Sequence, residues 1–140
     1  MWSHEQVADT DVSPQQIWSA LSDIDSWIAW DTSMEAISIR GPFAVGTEIS
    51  MTPSGQDPIR STIVEIVENE RYADQTEFGG VTLRFSHTLT GLGDGGTRIV
   101  HRLEITGADV DQVGPDIGPM ITDDFPAAMD GLIAYASKLA

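Results

Sequence analysis

The sequence predicts a single α+β domain, a curved antiparallel sheet of about six to seven strands wrapped around a long C-terminal helix, with two short helices after the first strand. Three observations carry that expectation. A capped amphipathic segment starts at Ser13, apolar and polar residues alternate from Met34 to Ile105, and an apolar stripe in steps of three and four residues runs from Val113 to Leu139.

Trp2 to Ala8 alternates as an opening strand. Ser13-Pro14-Gln15-Gln16 forms a capping box, with Ser at the N-cap, Pro at the first helical position and Gln at the third. Ile17, Trp18 and Leu21 supply its buried stripe, and a second short helix covers Ile24 to Ala29. Ile37 and Ile39 then alternate with Ser38 and Arg40 until Gly41-Pro42 stops the strand. Thr47, Ile49 and Met51 share one face of the next strand, which Pro53-Ser54-Gly55 ends. Ile59 to Val67 and Tyr72 to Phe78 are two more strands, joined across Glu68-Asn69-Glu70. Val81, Leu83, Phe85, His87 and Leu89 occupy one strand face, and beyond a Gly-rich turn Thr97, Ile99, His101, Leu103 and Ile105 occupy one face of the last. An apolar face opposite a wet one marks half-buried antiparallel strands. The final stripe comprises Val113, Ile117, Ile121, Phe125, Ala128, Leu132, Tyr135 and Leu139. Each proline within it removes a backbone donor, which predicts a helix that starts near Pro115 or Pro119 and is kinked or restarted between Asp124 and Pro126.

Composition narrows the function classes. A chain of 140 residues has the size of one domain and hides enough surface for a core without covalent staples. Hydrophobic residues at 41% against 21% charged describe a folded chain rather than a disordered one. Acidic residues number 22 against 7 basic, a formal charge of -15, and the one lysine is Lys138. That field repels phosphate backbones and anionic headgroups, so neither a nucleic-acid partner nor membrane-surface binding is expected. The absence of cysteine excludes disulfides, thiolate chemistry and Cys-based metal centres. No apolar run approaches the ~18 residues of a spanning helix, so no membrane insertion is expected. Met1-Trp2-Ser3-His4-Glu5 places no basic segment ahead of an apolar one, so the expected location is the cytoplasm.

Several short segments stand in an informative order. They are Val12-Ser13-Pro14 with Ile17-Trp18, Leu21-Ser22-Asp23, Trp27 with Trp30-Asp31, Gly41-Pro42, Gly46-Thr47, Glu65, Gly96-Thr97 before the last strand, and the helix from Pro119 to Leu132. The succession resembles the START-like or Bet v 1-like superfamily, specifically its bacterial polyketide cyclase/dehydrase (SRPBCC) group, over essentially the whole chain. The resemblance implies a helix-grip fold enclosing an elongated, largely apolar cavity. Members range from lipid carriers to cyclases, co-chaperones and quinone-binding proteins, so three functions are expected in turn. The first is a carrier or sensor of a small hydrophobic molecule such as a lipid, quinone or polyketide-like compound. The second is a cofactor-free cyclase or dehydratase in which His87 or His101 moves protons. The third is a co-chaperone-like interaction module, against which the acidic surface speaks. A homodimer stays open.

The candidate site residues follow from strand parity. Counting outward from a turn centred near Asp94 pairs Leu89 with Ile99 and His87 with His101, with β-carbons ~5 Å apart. Such imidazoles are either an acid–base couple or polar cavity lining. His4 is too far along the chain to complete a ligand motif with them, so no metal site is expected. Gly91-Leu92-Gly93-Asp94-Gly95-Gly96 satisfies G-x-G-x-x-G, but a strand follows it, which makes it a hairpin turn rather than a dinucleotide fingerprint. Trp27 and Trp30 are candidates for the rim or floor of a cavity, and Met51, Tyr72, Phe85, Met120, Ile121, Ala128 and Met129 for its walls. Tyr72 and Thr76 share a parity suited to orienting a ligand carbonyl. Asp124 lies at the margin of the helical stripe and either faces the cavity mouth or caps the segment restarting at Phe125. Glu65 is a partner for Arg71 or Arg84 on the outer sheet face. No G-x-S-x-G elbow or serine with a histidine base supports nucleophilic catalysis.

Overall fold

The structure, a computed structural model, describes residues 1–139. Alternating residues build seven antiparallel strands: β1 (Trp2–Thr10), β2 (Met34–Ile39), β3 (Glu48–Pro53), β4 (Ile59–Val67), β5 (Arg71–Phe78), β6 (Val81–Gly91) and β7 (Thr97–Thr106). They form one sheet in the order β1-β7-β6-β5-β4-β3-β2, so every neighbour is sequential except β1, which returns to pair with β7. Parity follows the expected faces: Ile49, Ile63, Leu83, Leu89, Ile99, Leu103 and Ile105 are all buried. Asn69, at φ 63, makes the tight turn from β4 to β5, a conformation that asparagine tolerates better than most residues.

Helix α1 (Pro14–Ser22) begins where the capping box places it, with the Gln16 amide donating to Ser13 Oγ at 3.2 Å. The Gln16 side chain also donates to the Leu139 carbonyl at 2.6 Å, which ties α1 to the C-terminus. The second short helix resolves into a 3-10 turn at Ile24–Ser26 running into α2 (Trp27–Trp30).

The C-terminal expectation needs correction. The chain forms two helices, α3 (Val110–Thr122) and α4 (Phe125–Ala136), broken at the foreseen place but begun well before Pro115. Each proline deletes only one donor, so α3 passes through Pro115 and Pro119. Its Gly114 and Gly118 lie four apart on the face that meets Trp2, where a β-carbon at Gly118 would stand 2.5 Å from the indole. Two apolar clusters result. One joins α1, α2 and α4 to β3, β4 and β5; the other joins α3 and Phe125 to β6 and β7. Among the described residues, no helix is long and apolar enough to cross a membrane.

Candidate ligand-binding cavity

Between the two clusters lies a cavity of about 580 Å³, within the range of small-molecule sites. Its sheet wall comes from β2 to β7, its end from α2, and its roof from α3 and α4. Members of both clusters face it, Trp27, Trp30, Met51 and Ala128 from one and Leu83 and Phe125 from the other. Of the sequence candidates, Thr76, Phe85, His87, His101, Met120, Ile121 and Asp124 also reach the wall. Met120 stands at the mouth, 73% exposed. Met129 instead is buried in the packed cluster. A wider hollow of about 1020 Å³ lies over the outer-face residues Thr62, Val64, Gln75 and Glu77. It has none of the histidines or tryptophans, and the chemistry therefore concentrates in the inner cavity.

The two imidazoles are cross-strand partners, His87 opposite His101, with ring centroids 3.9 Å apart and planes 19° from parallel. The Gly-rich turn adds no bulge between β6 and β7, which is why parity survives from Leu89 to His87. The Phe125 ring stacks on His101 at 3.8 Å, and Trp27 approaches His87 at 6.3 Å. Enclosed by these rings, the imidazolium form is disfavoured. Burial draws His87 down to about 4, and burial with the neighbouring His87 draws His101 well below its usual value. Both are therefore neutral at physiological pH, ill suited to the near-neutral acid–base couple considered from the sequence.

This has a consequence for acid stability. The unfolded chain protonates its histidines near pH 6.5 while folded His87 resists until about 4, so stability falls as pH drops through that window. At about pH 5, His87 alone accounts for about 2 kcal/mol of lost stability. We expect His87→Leu to shrink the loss between about pH 7 and 5 by that amount in denaturant titrations. An unchanged loss would mean that His87 is not held neutral.

The sequence reading missed the cavity's most unusual group. Asp74 is 2% exposed yet contributes to the cavity wall. Its Oδ2 accepts from the Tyr72 hydroxyl at 2.8 Å and its Oδ1 from the Ser61 hydroxyl at 3.0 Å. Burial raises its carboxyl to about 6, against the opposing pull of those hydrogen bonds and of the Arg84 charge. A signal was present: in Tyr72-Ala73-Asp74-Gln75-Thr76, Asp74 shares the inward parity, and aspartate is depleted from strand interiors.

Tyr72 itself is not part of the wall. It sits behind it, 1% exposed, stacked on Phe43 at 5.8 Å and edge-on to Trp27 at 5.4 Å. Its hydroxyl is committed to Asp74, and that of Thr76 donates to the Arg60 carbonyl at 3.1 Å. The pair expected to orient a ligand carbonyl is thus already occupied. Asp124 takes the N-cap position of α4 without a side-chain capping bond and lines the cavity. Glu65 meets both arginines, Arg84 at 2.8 Å and Arg71 at 3.5 Å. Among the described residues no cluster of His, Asp and Glu could hold a metal ion.

Comparison with known proteins agrees with this architecture. A family model described as "Polyketide cyclase / dehydrase and lipid transport" matches residues 1–137. No curated protein matches in sequence. Among solved structures, a START superfamily protein from Mycobacterium smegmatis superposes with a TM-score of 0.79 at 13% identity, covering 100% of both chains. The ZhuI aromatase/cyclase from Streptomyces sp. R1128 gives 0.80 at 12% identity, covering 97% of this chain and 93% of its own. At such identities the likeness shows a shared helix-grip fold.

Proposed function

The chain belongs to the polyketide cyclase/dehydrase and lipid transport family, and on that footing we propose that it carries or senses a small, mainly apolar molecule held in the inner cavity. The observation that carries this reading is the cavity itself: about 580 Å³, walled by Trp27, Trp30, Met51, Phe85 and Ile121. Burying the apolar body of a guest there is favourable by ~25 cal/mol per Å² removed from water, before the cost of immobilising it. The lipids, quinones and polyketide-like compounds named from the sequence all present such a body. The proposal places the protein in the cytoplasm, needs no cofactor or second copy, and gives no role to nucleic acid, which the -15 charge repels.

A second reading, a cyclase or dehydratase, draws on Asp74, whose carboxyl burial raises to about 6. The histidine pair supports it less, because burial holds both rings neutral.

The test is a thermal-shift screen of the purified protein against apolar compounds of graded size. Saturation at about a hundredfold excess over Kd should add about 2.7 kcal/mol of stability, a rise of several degrees in Tm. Flat melting curves across the panel would remove the carrier reading.

A further inference from the structure

Building on the reading of the cavity as a binding site, we propose that the preferred guest carries a protonated amine on its apolar body, with Asp74 as the counter-ion, and that guests bearing a carboxylate are refused. The first support is charge. Asp31, Asp74 and Asp124 line the cavity and no lysine or arginine does. Four of the six arginines are turned to acidic partners elsewhere: Arg71 and Arg84 to Glu65, Arg98 to Asp9, and Arg102 to Glu5 and Glu104.

The second support is geometry. Each Asp74 oxygen already accepts one hydroxyl, from Tyr72 or Ser61, an arrangement that solvates the ionised form with neutral donors. Among the described residues no cation forms an ion pair with it, and the charge of Arg84, itself paired with Glu65, acts on it only from beyond that distance.

The third is unfilled hydrogen-bonding capacity in the same wall. His87 is 6% exposed, and its Nδ1, an acceptor in the tautomer protonated at Nε2, has no partner among the described residues. His87 is the cross-strand neighbour of Tyr72, beside Asp74 on the sheet. An ammonium group has three donors, for which the Asp74 oxygens and His87 Nδ1 are acceptors. A carboxylate in its place would face Asp74 with nothing basic to receive it.

The charged and titratable groups around Asp74 set the pH dependence. Tyr72 stands on its own strand; β4 offers Ser61; β6 offers His87 within the cavity and Arg84 through its charge; β7 offers His101. Asp31 and Asp124 line the same cavity. A bound ammonium keeps Asp74 ionised, so below about 6 binding must expel a proton and affinity falls as pH falls. A protonated Asp74 donating to a carbonyl guest would give the opposite slope.

Three probes sharing one skeleton decide the matter by calorimetry: naphthylethylamine, naphthylethanol and naphthylacetate. The amine should bind about tenfold tighter than the alcohol near about pH 7.5, and the carboxylate weakest. Asp74→Asn should erase the advantage of the amine over the alcohol. The amine should also weaken about tenfold per pH unit below about 6 in the wild-type protein, a readout that stands even if the variant misfolds. An alcohol that binds as well as the amine, a preference that survives Asp74→Asn, or a reversed slope would overturn the amine assignment and leave the cavity reading intact. Failure of all three probes, the alcohol included, would overturn both.

Discussion

Ala128→Trp is expected to abolish guest binding while the protein still folds. Ala128 projects from α4 into the cavity, 7% exposed, so an indole there occupies the space a guest would take. Overpacking a filled core typically costs ~1–3 kcal/mol, but here the added bulk enters existing space, and Tm should move by only a few degrees. Affinity for any compound that shifts the wild-type protein should fall by roughly a hundredfold or more. Ile121→Trp, from the neighbouring helix, should act in the same direction. If either well-folded variant binds as tightly as wild type, the guest sits elsewhere, and the outer hollow over Thr62 and Gln75 becomes the place to look.

The largest loss of stability is expected from Gly131→Ala. A β-carbon at Gly131 would stand 2.1 Å from the Trp30 carbonyl oxygen, a backbone atom with no freedom to turn aside. Helices α2 and α4 would have to separate, carrying Trp30 away from the cavity wall. Relief of that contact should cost about 3 kcal/mol, or a fall in Tm of about 10 °C. Gly91→Ala is the matched control, because nothing lies within 4 Å of its added carbon; it should stay within about 0.5 kcal/mol of wild type. Equal melting temperatures for the two variants would show that close α2–α4 contact does not position the site.

Local signals made much of this architecture legible. The Ser13 cap and the alternation through β6 and β7 depend on neighbours in sequence, and both appear where the residues point. The pairing of His87 with His101 was countable because the turn between them has no bulge. Where a bulge does occur, between Ile63 and Glu65, the parity of Glu65 could not be settled by counting. The start of α3 was hidden for another reason. Gly114 and Gly118 look like helix breakers until Trp2, more than a hundred residues earlier, is placed against them. Asp74 escaped because its meaning depends on Ser61 of the adjacent strand as much as on Tyr72 two residues away. Long-range packing decides such cases, and one sequence shows it poorly.

Native mass spectrometry of freshly purified protein addresses the central claim most directly, that the space beneath α3 and α4 houses a guest. The expected spectrum shows a complex heavier than the 15.1 kDa chain by one small organic molecule, either co-purified or taken up from an apolar panel, with the added mass lost in Ala128→Trp. Bare chain mass under every loading condition, or an adduct that persists unchanged in Ala128→Trp, would contradict it.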